Sequence, residues 1–195
     1  MSTEFIAVLD LLEMLVLDRR LGVLIALLVV AAISDTRTGR IPNWLVFAGA
    51  AYGLLYNALF PVFPRDIGIL FALGGLALGL GAFLPLYVLR VMGAGDVKLM
   101  AMVGAFLGAW ATLHATLATL IAGGVLAIVF ALLNGTVVRM VRNVATMFRG
   151  TMLTFVTGVG GLTVHGGPSA GKMPYGVAIA TGTIGYLILA QLGLI

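Results

Sequence analysis

Six apolar stretches separated by short polar turns leave this chain little room to fold as anything but a bundle of membrane-crossing helices. They cover residues 21–34, 44–60, 67–89, 97–113, 116–133 and 175–195. At 1.5 Å per residue, about 20 residues cross the roughly 30 Å hydrocarbon core. The last five stretches reach that thickness with modest tilt or local thinning. The first holds 14 residues and covers only about 21 Å, so it either recruits flanking residues or draws Asp35 to membrane depth. Charged residues make up 9% and apolar residues 62% of the 195 positions, where soluble domains average about one quarter and one half. This balance excludes a disordered chain, a coiled coil and a soluble nucleotide-binding fold. The fold class expected is an all-α membrane protein, a six-transmembrane-helix bundle.

The net charge is +4, but the cations are too few and too scattered for a nucleic-acid surface, and membrane lipids are the expected contact. Cysteine is absent, which rules out disulfides and thiolate metal sites. His114 and His165 stand singly, so no metal site is expected. Glu4, Asp10, Glu13 and Asp18, with no early basic stretch, argue against a cleaved secretory signal. Residues 5–17 instead pattern as an amphipathic interfacial helix, which divides the chain into an N-terminal segment, 1–20, and a six-span domain, 21–195. A second, basic interfacial helix is expected over 136–156, where Arg139, Arg142 and Arg149 fall opposite Met140, Val144 and Met147. A glycine-rich connection follows at 158–171. Gly75 and Gly79 in the third stretch, and Ala178 and Gly182 in the sixth, permit close helix approach and are read as packing.

If the stretches alternate in direction, one side receives Arg37, Arg40, Arg90, Lys98, Arg139, Arg142, Arg149 and Lys172, eight of the eleven Lys and Arg. That excess marks the side as cytoplasmic. The same sorting leaves only Asp35 and Asp96 there among the acids. Two full crossings separate them, and an even number of crossings returns the chain to the face it left. Topology therefore brings both carboxylates to one leaflet, at the end of the first span and the start of the fourth.

Each aspartate has a plain reading. Asp96 follows Gly93-Ala94-Gly95 and can serve as an N-cap for the fourth span. Asp35 can pair with Arg37 or Arg40 at the surface, an interaction worth little. Taken as a pair they carry more, because acids at membrane depth are costly and are functional hypotheses by default. Asp35 closes a helix and Asp96 opens one, so the helix dipoles push their proton affinities apart. Two carboxyls sharing a proton, one activating water and one protonating the peptide group, are the working unit of aspartic proteolysis.

The residues around the pair carry a resemblance. Gly93-Ala94-Gly95-Asp96 resembles the GxGD signature of intramembrane aspartyl proteases, and its continuation Val97-Lys98-Leu99 is similar to the version in type IV prepilin peptidases. Asp35-Thr36-Arg37-Thr38-Gly39-Arg40-Ile41-Pro42-Asn43 resembles the other half of that family's pattern, and Met173-Pro174-Tyr175-Gly176 the opening of its last span. The resemblance, over roughly 21–195, implies that Asp35 and Asp96 are the catalytic pair and that the enzyme cleaves the leader of type IV pilin-like precursors at the cytoplasmic face of the inner membrane. It implies no cofactor. Gly93 and Gly95 are candidates for admitting a substrate backbone, Lys98 for steadying a carboxylate or snorkelling, and Pro42 and Asn43 for starting the second span, with proline in its first turn.

Longer family members carry a cysteine-bearing insert and methylate the new amino terminus. This chain has neither the cysteines nor room for the insert, so cleavage without N-methyltransferase activity is expected, as in the short peptidases of tight-adherence (Flp) pili or archaeal preflagellin peptidases. Two rivals stand beside the protease: a small proton- or cation-coupled transporter or channel subunit, and a scaffold in which both aspartates only cap helices.

Overall fold

A computed structural model describes residues 19–61, 67–89, 91–133 and 174–194, with Gly135, Val138, Arg142 and Ala145 as single positions. The described residues hold five helices: α1 (Arg19–Thr38), α2 (Asn43–Leu59), α3 (Gly68–Val88), α4 (Ala94–Leu133) and α5 (Tyr175–Gln191). Three of them, α1, α3 and α4, are long and apolar enough to cross a membrane, and α5 is apolar but shorter at 17 residues. The N-terminal amphipathic helix and the glycine-rich connection lie outside the described residues. So does the basic helix, apart from Val138, Arg142 and Ala145. The chain divides into two compact units, residues 1–123 with 174–195, and residues 124–173. The description below concerns the first.

The helix ends follow from local chemistry. Leu21, Leu24, Leu28, Ala31 and Asp35 form one buried stripe along α1, at the three- and four-residue spacing that keeps side chains on one face. The helix stops where Gly39 takes φ 62° and its N–H reaches back to the Asp35 carbonyl at 2.8 Å, a glycine C-cap in the left-handed region. Pro42 then stands at the N-cap of α2 with φ −64°, one position earlier than the first-turn placement expected from sequence.

Helix α4 is two limbs rather than one rod. Gly108 interrupts it with φ 76° and ψ 171°, a conformation costly for any residue with a Cβ, and the Phe71 ring occupies the space where a Cβ would stand. Before the break, Gly104 packs on Gly75 and Met100 on Gly79, so the first limb runs antiparallel to α3. After it, Thr119 packs on Gly182 and Gly123 on Ala178, so the second limb runs antiparallel to α5. The sequence places this division at His114, the only titratable residue between the two stretches. In the structure His114 is helical, its Nδ1 lies 3.0 Å from the Trp110 carbonyl, and its ring stacks on Tyr186. The reversal needs a residue free to take positive φ, and glycine supplies it six positions earlier.

Breaking a helix in an apolar interior leaves carbonyls without their i+4 amides. Buried Asn57 answers this need: its Nδ2 donates to Ala105 O at 2.9 Å and to its own helix at Gly53 O at 3.0 Å. Its Oδ1 accepts from Arg20 Nη1 at 3.1 Å. The glycines read as packing residues, Gly75, Gly79 and Gly182, lie at close helix approaches, where a Cβ would overlap the facing backbone. Gly104→Ala is expected to lower unfolding free energy by about 1–3 kcal/mol, measured by thermal unfolding in detergent. Gly81→Ala, which meets open space, should leave stability unchanged or slightly raised.

Candidate active site

The end of α1 and the starts of α2, α4 and α5 converge at one end of the first unit. Asp35 lies in the last turn of α1 and is only 8% exposed, because it continues the stripe of Leu24, Leu28 and Ala31. The turn behind it is tied down by hydroxyls, with Ser34 Oγ and Thr38 Oγ1 both donating to the Arg40 carbonyl, at 3.0 and 3.1 Å. Arg37 and Arg40, the partners expected on the surface, are exposed, and among the described residues neither pairs with Asp35. The carboxylate turns inward instead, and its Oδ2 accepts the main-chain N–H of Gly176 at 2.7 Å.

Asp96 is also 8% exposed and occupies the first turn of α4. It is the third residue of the helix rather than its N-cap. Its Oδ2 accepts the Gly93 N–H at 3.0 Å, the N3 side-chain half of a capping box, while its own N–H donates to the Gly93 carbonyl at 3.2 Å in a backbone turn. Gly93 and Ala94 beside it are exposed. The first turn of α5 lies against Asp35, through Gly176.

This arrangement revises the dipole argument. Judged from α1 alone, Asp35 sits at an unfavourable C-terminus; in the fold its carboxylate caps the N-terminus of α5. The Pro174 N-cap of that helix makes no side-chain hydrogen bond of its own. Both aspartates thus face the amide end of a helix, and the electrostatic contrast read from sequence is offset.

The supporting residues gather here too. Gly95 faces Ile41, whose Cβ lies 3.4 Å from where a glycine Cβ would stand. Lys98 Nζ donates to Asn43 Oδ1 at 3.1 Å and stands 5.4 Å over the Phe47 ring, which ties the start of α4 to the start of α2. Tyr175 and Gly176 were not singled out as site residues in the sequence, although the Pro-Tyr-Gly match pointed at them. Among the described residues no cluster of three His, Asp or Glu could hold a metal ion. Two buried carboxylates at converging helix ends, held by main-chain donors, can do general acid–base work on a water and a peptide group.

Comparison with known proteins adds to this geometry. The type IV leader peptidase family matches residues 22–132, a stretch that includes Asp35, Asp96 and every supporting residue but ends within α4, short of the Pro-Tyr-Gly segment. No curated protein and no solved structure matches the chain. With more than half of its 195 residues inside the match, the chain belongs to the type IV leader peptidase family.

Proposed function

We propose that the protein is an intramembrane aspartic endopeptidase in which Asp35 and Asp96 are the catalytic pair, and that it removes the leader of type IV pilin-like precursors without methylating the product. The observation that carries this reading is two buried carboxylates at one end of the helices, each steadied by one main-chain N–H. In the proposed reaction the ionised member of the pair takes a proton from water, whose oxygen attacks the scissile carbonyl carbon. The protonated member donates to the carbonyl oxygen. Collapse of the tetrahedral species breaks the C–N bond, and the departing amine leaves with a proton from the pair.

The reading places six crossings in the membrane: α1, α2, α3, the two limbs of α4, and α5. Both aspartates then lie at the cytoplasmic headgroup level, where a precursor with a basic leader and a following apolar helix presents its junction. A helical peptide bond is shielded by its own hydrogen bonding, so the junction must be extended before water can attack. Glycine there would lower that cost.

Purified protein in detergent is expected to cut a pilin-like precursor at the leader junction. Asp35→Asn and Asp96→Asn should each lower turnover by about 10²- to 10⁴-fold while thermal stability holds, since asparagine accepts the same main-chain N–H and caps as well as aspartate. Cleavage by either variant at wild-type rate, or cation flux through vesicles by an inactive wild type, would overturn the protease reading. The pH–rate profile of the wild type should show two apparent ionisations. Asn43→Ala and Lys98→Met should each slow cleavage only a few-fold, and the double variant should be no slower than the worse single one, as coupled residues require.

A further inference from the structure

The family match ends at residue 132, yet the carboxylate of Asp35 finds its partner 141 positions along the chain. Three observations bear on Gly176. Its N–H is one of the first-turn amides of α5, which have no acceptor within their own helix, and Pro174 offers none. Asp35 Oδ2 accepts that N–H at 2.7 Å, so α1 supplies the cap that α5 lacks. A Cβ on Gly176 would lie 2.9 Å from Asp35 Oδ2, 3.0 Å from Asp35 Cβ and 3.2 Å from Asp35 Cγ. Its three nearest neighbours are therefore all atoms of the Asp35 side chain.

We infer that Gly176 is a positioning residue for the reaction: its main-chain N–H aims the Asp35 carboxylate, and its missing side chain leaves that carboxylate the room to stand against the first turn of α5. This rests on the reading of Asp35 as one of the catalytic pair. The N–H fixes one oxygen, which leaves the other free to face water or substrate. A methyl group at 176 meets the carboxylate below ordinary contact distance, and the part that can give way is the Asp35 side chain. Asp35 is anchored on the buried stripe of α1, and Gly176 is backbone in the tightly packed first turn of α5. The side chain of Asp35 must then turn away from the amide. Misplacing a reacting group by about 1 Å can cost about 10²-fold in rate.

The test compares Gly176→Ala with Gly185→Ala, a substitution on the same helix that meets open space, in steady-state cleavage of a pilin-like precursor. Gly176→Ala is expected to lose about 10²-fold in kcat with KM within about threefold and a displaced pH–rate profile. Gly185→Ala should match the wild type in all three. A Gly176→Ala protein with wild-type kcat and pH profile, or one whose loss falls on KM alone, would overturn the inference. A readout that does not depend on how that variant folds is the Gly176 amide resonance in the ¹⁵N-labelled wild type. It should titrate with the cleavage profile and stay flat in Asp35→Asn; a resonance that fails to titrate, or titrates alike in both, counts against the contact. The two readings fail separately. Asp35→Asn that still cleaves removes the catalytic assignment, whereas an inactive Asp35→Asn beside a fully active Gly176→Ala removes only the role of Gly176.

Discussion

A carboxylate at the edge of an apolar interior must find hydrogen-bond donors, because burying it without them costs several kcal/mol. Among the described residues the fold meets that requirement with backbone and not with cations. Asp35 accepts from Gly176 and Asp96 from Gly93, so each charge is held by an amide at the opening of a helix. An arginine or lysine partner would also have held them. It would have neutralised the charge and filled the space beside it, whereas a main-chain N–H occupies little volume and leaves the second oxygen open. The convergence of the end of α1 with the starts of α4 and α5 is what makes two such donors available in one place.

The same rule operates at the opposite end of the unit. The reversal at Gly108 strands carbonyls among buried side chains, and the Asn57 amide takes one of them up. Thr112 and Thr116 bond back to the carbonyls four residues earlier, so their hydroxyls are satisfied within their own helix and ask nothing of the surroundings. Polar groups in this chain are few, and those in the interior mostly sit where a helix ends or breaks.

Much of this was legible in the residues. The even number of crossings between Asp35 and Asp96 put them at one end, and the fold does the same by a chain of specific contacts: Ile41 on Gly95, Asn43 on Lys98, Gly176 on Asp35. Gly75, Gly79, Ala178 and Gly182 read correctly as points of close helix approach. Two things were hidden, for definite reasons. The break in α4 was assigned to a polar residue, His114, because polarity marks a turn in a soluble chain; in an apolar one the marker is conformational freedom, and Gly108 has neither charge nor polarity to give it away. The cap on Asp35 comes from a residue 141 positions distant, and a helix dipole judged from neighbouring residues alone misses a second dipole brought in by packing.

Arg20 and Asp35 belong to the same uninterrupted helix, separated by about four turns or roughly 22 Å. One end is fastened to Asn57 and the other to Gly176. A rod pinned at both tips does not slide, so a displacement of α1 along its axis large enough to move the acid would have to release the guanidinium on the far side at the same moment. The position of the Asp35 carboxyl is thus gauged from the far end of its own helix, by the contact between Arg20 and Asn57.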